Sequence, residues 1–178
     1  MIVCKEADCA LAVDRAYQRT RQRFEAWKND PAHPPASRYV VPDATEPAVG
    51  FAIFYTPAAF QPKLLLVGQN PANFAVGRNL RDPPNAEMLS GTKPPLRNTY
   101  VEHKHRFAEA LQNGFAQHFS LLESCVGMNV WHFQCVSRAQ SAPQDLLRFC
   151  ECTTRSLVKA IQAKHILCFR KTSVQCAA

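Results

Sequence analysis

The run Leu64-Leu65-Leu66-Val67-Gly68 places four branched apolar side chains in succession, with no polar residue between them. A strand with one wet face would alternate; one without alternation needs cover on both faces, as in the middle of a parallel sheet. The run is bounded by Pro62 and Pro71, so the strand is expected over Lys63–Gly68. Two further apolar stretches, Cys125–Phe133 and His165–Phe169, have strand-like length, and each is separated from the one before by sequence that reads as helix. Strand, helix, strand, helix, strand is the pattern of parallel strands joined by crossovers. The expected fold class is α/β, a three-layer αβα sandwich around a central parallel sheet. In such sheets ligands bind beyond the carboxyl ends of the strands, which puts Gln69–Asn73, Asn129–His132 and Arg170–Ser173 on one rim.

The helices follow from spacing. Val13, Tyr17, Phe24 and Trp27 recur at helical intervals, with arginines 15, 19, 21 and 23 and Lys28 between them, and Asn29-Asp30-Pro31 closes the element. The stretch to Pro47 holds five prolines and reads as loop, and Val49–Tyr55 reads as another short β segment. Thr99-Tyr100-Val101-Glu102 has the form of a capping box. It opens a helix expected to reach about Gln117, with Val101, Ala108, Leu111 and Phe115 turned inward. Ser141-Ala142-Pro143 opens the last helix, whose inner stripe is Leu146, Cys150, Leu157 and Ile161. The organisation expected is a helix and proline-rich loop, residues 1–60, packed on an α/β domain over residues 61–178.

Composition narrows the class. With 178 residues, 47% of them hydrophobic, the chain can bury a core and is too apolar to be disordered. No apolar run approaches the roughly 20 residues of a membrane span. Met1–Ala10 carries Lys5, Glu6 and Asp8 and lacks a secretory core, so a cytoplasmic protein without a membrane partner is expected. The formal charge is +7, and residues 1–60, with seven basic and seven acidic side chains, contribute none of it. The surplus therefore lies in residues 61–178, which carry the expected strands, and favours phosphate-bearing partners. The eight cysteines include no Cys-x-x-Cys pair, and Cys168, inside an apolar run, reads as a small buried hydrophobe, as do most of the others.

The segment Gly68-Gln69-Asn70-Pro71, closing a buried strand, resembles the first motif of the uracil-DNA glycosylase superfamily, Gly-Gln-Asp-Pro or Gly-Met-Asn-Pro. Met128-Asn129-Val130-Trp131 resembles the family's second strand end, where an Asn reads uracil. Ile166 to Thr172 is similar to a third strand ending in Gly-Arg/Lys-Thr. The three matches fall in family order over about residues 62–175. The resemblance implies hydrolysis of the N-glycosidic bond of uracil, or a related damaged base, in DNA. Asn70 would position the water, the Gln69 amide would approach the pyrimidine carbonyl, and Asn129 would pair with the base edge, its donor and acceptor selecting uracil over cytosine. Phe74 is the nearby aromatic for stacking, and Arg78, Arg81, Lys93, Arg97 and Lys171 would meet DNA phosphates. Taken alone, Asn70-Pro71 also fits an ordinary turn, and Asn129 a backbone-bonding strand end.

The departures from the family pattern are specific. The residue after the proline is Ala72, which leaves room for a thymine methyl. The family's stacking-aromatic position holds Pro83, and the third strand's turn has Arg170 in place of glycine. No His-Pro-Ser run follows His165–Phe169, so the domain is expected to be incomplete, lacking its last strand and motif and leaving His165–Phe169 as an apolar edge prone to aggregation. His103, His105 and His132 are candidate substitutes that read as solvated histidines. One branch of the family carries an iron–sulfur cluster; Cys135 and Cys150 resemble its second pair, but Cys4 and Cys9 do not match its first. No cofactor is expected, a 4Fe–4S cluster included. Excision is therefore expected to be very low or absent, and the alternative reading is a non-catalytic nucleic-acid-binding relic of the fold. A nucleotide-binding domain has no Gly-x-Gly-x-x-Gly or Gly-x4-Gly-Lys-Ser/Thr to support it. Oligomeric state and lesion are left open. Binding to short single- and double-stranded DNA is expected to be weak and to fall steeply with salt, which fluorescence anisotropy at two salt concentrations measures; no binding at low salt would remove the nucleic-acid reading.

Overall fold

The computed structural model describes residues 6–28, 51–69, 93–102, 106–133 and 144–169. Helix α1 covers Glu6–Lys28, strand β1 Leu64–Gly68, helices α2 and α3 Thr99–Glu102 and Arg106–Gly114, helix α4 Phe119–Glu123 after a 3-10 turn, strand β2 Val126–Asn129, helix α5 Gln144–Ile161 and strand β3 His165–Cys168. The class is mixed α/β. The three strands form one parallel sheet in the order β2-β1-β3, so β1 is central.

The alternation of side chains along β1 explains why it needs no polar residue. Leu65 and Val67 enter one apolar cluster with Val126 and Met128 of β2, Cys9, Val13, Tyr17 and Phe24 of α1 and Leu146, Cys150, Leu157 and Ile161 of α5. Leu64 and Leu66 enter a second, with Tyr100, Leu111, Leu122 and Cys125. The inner stripe expected of the last helix is buried at all four positions, and Ala108 and Leu111 of α3 are buried as expected. The Arg23 guanidinium on α1 pairs with the Asp145 carboxylate on α5. Both are substantially exposed, so the pair adds little to the apolar packing beneath it.

Several expectations are corrected. The strand expected over Cys125–Phe133 ends as a ladder at Asn129. Val49–Tyr55 gives no ladder strand among its described residues: Phe51 and Phe54 make isolated antiparallel bridges to Phe133 and Met128. The helix expected from Thr99 to about Gln117 is described as α2 and α3, with residues 103–105 outside the description, and it gives way to the 3-10 turn at Ala116–His118 before Gln117 is passed. Its cap is Asn98, not Thr99: Asn98 Oδ1 accepts the Tyr100 N–H at 3.0 Å, while the Thr99 hydroxyl donates to the Tyr55 carbonyl at 2.7 Å. A tertiary acceptor has taken the hydroxyl that the local motif assigned to the helix. Asn98 Nδ2 also donates to Leu122 O at 2.7 Å, closing the end of α4 with the same side chain. Cys168 is exposed rather than buried, because its strand is at the sheet edge; Cys152 is exposed too, whereas Cys9, Cys125 and Cys150 are buried. The loop expected up to Pro47, the start of the β segment expected from Val49, the Trp27 side chain and Ser141–Pro143 lie outside the described residues. Among the described residues no helix is long and apolar enough to cross a membrane.

Of the described glycines, Gly127 of β2 has the tightest surroundings. A Cβ there would lie 2.3 Å from Cε2 of Tyr100, whose buried ring stacks on Tyr55 at 5.6 Å. Neither ring can retreat without opening the second cluster. Gly127→Ala is therefore expected to cost about 1–3 kcal/mol in urea unfolding. The cost should shrink in a Tyr100→Leu background, since the two residues are in contact.

Candidate functional site at the carboxyl ends of β1 and β2

The β1–β2 register pairs Val67 with Met128 and Gly68 with Asn129, so the two resemblance motifs end side by side. The pairing continues past the ladder: Val130 N–H donates to Gly68 O at 2.9 Å and Trp131 N–H to Gln69 O at 2.8 Å. Gln69 is thereby held at the rim by its carbonyl. Its own N–H, the group that the resemblance assigns to a pyrimidine carbonyl, is bonded to no backbone carbonyl of the described residues.

Asn129 is almost wholly buried, at 1% exposure. Its backbone N–H donates to Ile53 O at 2.9 Å, and its side-chain Nδ2 donates to Ala52 O at 3.4 Å, near the limit for such a bond. The amide lies over the end of β1, where a Cβ on Gly68 would come within 2.9 Å of Asn129 Oδ1. An alanine at 68 would therefore make the Asn129 amide shift. The sequence motif contained this glycine; its reason became visible only with the register.

Behind Asn129 lies a small polar network. Thr154 of α5 is buried, and its Oγ1 is 3.3 Å from the Val130 carbonyl and 3.5 Å from that of Asn129. His132 Nε2 is 3.3 Å from the same Oγ1. With the Thr154 hydrogen directed to a carbonyl, His132 Nε2 must be the donor, and Nδ1 is then an unprotonated, unpartnered buried acceptor. The expectation of a solvated His132 is corrected: the ring is fully enclosed, and burial lowers its pKa from 6.5 to about 3. It is neutral at physiological pH and cannot stabilise a leaving anion as a cation. Sequence reading passed over Thr154, although a polar residue midway along the apolar stripe Leu146, Cys150, Leu157, Ile161 was a visible signal.

The other site candidates are not gathered here. Lys93 is exposed and lines a groove of about 380 Å³ with Glu6, Asp14 and Phe60, beside the chain that enters β1 at its amino end. Arg97 is 78% exposed and 3.8 Å from Glu102. Asn70, Phe74, Arg78, Arg81 and Lys171, with His103 and His105, lie outside the described residues. Among the described residues no group of three or more His, Cys, Asp or Glu side chains is placed to hold a metal ion. Burial raises the Cys125 thiol to about 11, so it stays protonated and is a poor nucleophile. No family model matches this chain, and neither a curated protein nor a solved structure does.

The buried His132 makes stability depend on pH. Its folded pKa, about 3, lies below the unfolded value of 6.5. The unfolded chain therefore binds the extra proton, and stability present above pH 6.5 is lost as pH falls toward 3. Between pH 7 and pH 5.5, above the carboxylate range, the expected loss is about 1 kcal/mol in urea unfolding. His132→Phe should abolish that difference; a difference of the same size in the variant would assign it to other groups.

Proposed function

We propose that the chain is a uracil-DNA-glycosylase-like domain that holds an extruded pyrimidine at the β1–β2 rim, with base excision very slow or absent. The observation that carries this reading is the Gly68↔Asn129 register. It brings together the Gln69 backbone and the Asn129 amide, which the sequence separates by sixty residues and the resemblance assigns to one base. An amide with one donor and one acceptor edge can pair with uracil and oppose cytosine, and a neighbouring backbone N–H supplies a further donor to a carbonyl. Asn70 next in sequence would hold water, and Phe74 would stack.

Fold-level support is of the same kind. Two apolar clusters take alternate side chains of β1, one with α1 and α5 and the other with Tyr100 and Leu111, which fits a three-layer αβα arrangement. The buried free thiol at Cys125 fits a reducing, cytoplasmic setting. The partner in this reading is DNA carrying uracil or a damaged base, met by Arg78, Arg81 and Lys171, the basic residues after β1 and β3.

Slow chemistry follows from what the rim offers. Its described groups are amides and carbonyls, and the described histidine there, His132, is neutral. A lost oxyanion-type donor costs about 10²–10³ in rate. The test is a uracil-containing oligonucleotide and its cytosine counterpart, followed by anisotropy and by alkaline cleavage of abasic sites. Preferential binding of uracil, reduced by Gly68→Ala with the fold intact by circular dichroism, is the expected result, with little cleavage. Robust cleavage lost in Asn70→Ala would establish a glycosylase and overturn the slow-chemistry reading. Equal binding of both bases would overturn base reading.

A further inference from the structure

Helix α5 carries three hydroxyl side chains, Thr153, Thr154 and Ser156, and they bond to different places. Thr153 Oγ1 donates to Phe149 O at 2.9 Å and Ser156 Oγ to Cys152 O at 3.0 Å, each one turn back in the same helix. Such back-bonding is the ordinary use of a hydroxyl inside a helix. Thr154 lies between them, buried, and bonds outside its helix. Its hydrogen is divided between the carbonyls of Val130, at 3.3 Å, and Asn129, at 3.5 Å.

These contacts close a circuit through four residues. His132 Nε2 donates to Thr154 Oγ1 at 3.3 Å. The His132 carbonyl accepts the Ala52 N–H at 2.8 Å, the Ala52 carbonyl accepts Asn129 Nδ2 at 3.4 Å, and the Asn129 carbonyl accepts the Thr154 hydroxyl. Thr154 is thus joined to Asn129 twice, directly at the backbone carbonyl and through His132 and Ala52 at the side-chain amide. All four residues are buried, so a bond lost from the circuit is not replaced by bulk solvent. Three of the four links are long, but in a closed ring each one constrains the direction of the next.

We propose that Thr154 is a positioning residue for Asn129: its hydroxyl fixes how the Asn129 amide is presented at the β1–β2 rim, and so sets how strongly that rim prefers uracil to cytosine. This inference rests on the base reading proposed for the rim. Thr154 acts only through Asn129 and the strand end that carries it. Without the hydroxyl, the Asn129 carbonyl and His132 Nε2 each lose a partner, and the circuit opens on both sides of the position Thr154 occupies. The amide is then held by the 3.4 Å bond to Ala52 alone within that circuit. A side chain freer to turn can offer its donor or its acceptor to either base, which lowers discrimination more than affinity.

The test compares Thr154→Val, which removes the hydroxyl at similar shape, with Thr154→Ser, which keeps it, both in the whole chain and both shown to be folded by urea unfolding. Nitrogen NMR follows the Asn129 side-chain amide and the His132 ring, and anisotropy measures a uracil-containing oligonucleotide against its cytosine counterpart. In the wild-type protein and in Thr154→Ser, His132 holds its proton on Nε2 and the Asn129 amide gives one pair of signals. In Thr154→Val the His132 tautomers mix, the Asn129 signals shift or double, and the uracil-over-cytosine ratio falls about tenfold. Thr154→Ser restores the ratio. Unmoved Asn129 signals and an unchanged ratio in Thr154→Val overturn the proposal and leave base reading standing. A loss in Thr154→Val that Thr154→Ser does not restore assigns the effect to packing and also overturns it. Equal binding of both bases by the wild-type protein overturns base reading and the specificity that rests on it; Asn129 signals that move in Thr154→Val and return in Thr154→Ser then still support Thr154 as the residue that positions the amide.

Discussion

The molecule depends on β1 being buried on both faces while paired on both sides. Leu65 and Leu66 are fully buried and point into different clusters. Each such side chain contributes about 1.5–3 kcal/mol relative to exposure. Because strand side chains alternate with a period of two, a slip of one residue would exchange the two sets and set Leu64 and Leu66 against α1 and α5. The register is thus fixed by volume on both sides at once. Gly68 then falls opposite Asn129 as a consequence of core packing, and the polar rim inherits its geometry from apolar side chains several residues away.

This dependence explains which parts were legible in the sequence. The central strand was readable because an unbroken branched run has few other uses. The stripe of α5 was readable because helical periodicity survives over 18 residues. Local motifs failed where a distant partner competed: Thr99 gave its hydroxyl to Tyr55, and Asn98, outside the assumed motif, took over the cap. Composition identified His165–Phe169 as a strand, and the aggregation-prone apolar edge expected there is exposed in the structure; the same apolar pattern nonetheless misled for Cys168, which was read as buried. His132 went wrong in the opposite direction. A histidine after a strand reads as solvated, but the antiparallel return of Phe51–Thr56 and the bond to Thr154 enclose it.

The site was legible as a pair of strand ends and no further. Gln69 and Asn129 were named from the sequence, and the parallel pairing brings them together. What could not be read was the support around them, since Ala52, Thr154 and Gly68 act on Asn129 from three separate parts of the chain. Each of those contacts exists only once the register is set. Thr154 is the clearest instance. Its side chain is a break in an otherwise apolar stripe, and the reason for the break is a pair of carbonyls at the end of another strand.

The same support bears on what the rim can do. Asn129 Nδ2 already has an acceptor in Ala52 O, at 3.4 Å. A base carbonyl that takes over this donor exchanges one hydrogen bond for another, so the gain comes from geometry rather than from a newly satisfied group. A long, near-limit bond is the easier one to exchange. Discrimination would then rest on the unfavourable side, because a cytosine amino group brought against the same Nδ2 sets donor against donor and leaves both unpaired in a buried place. A neutral His132 fits this arrangement. In the proposed reading a cation there would attract phosphate and base carbonyls alike, whereas a neutral network would leave the selection to the Asn129 amide.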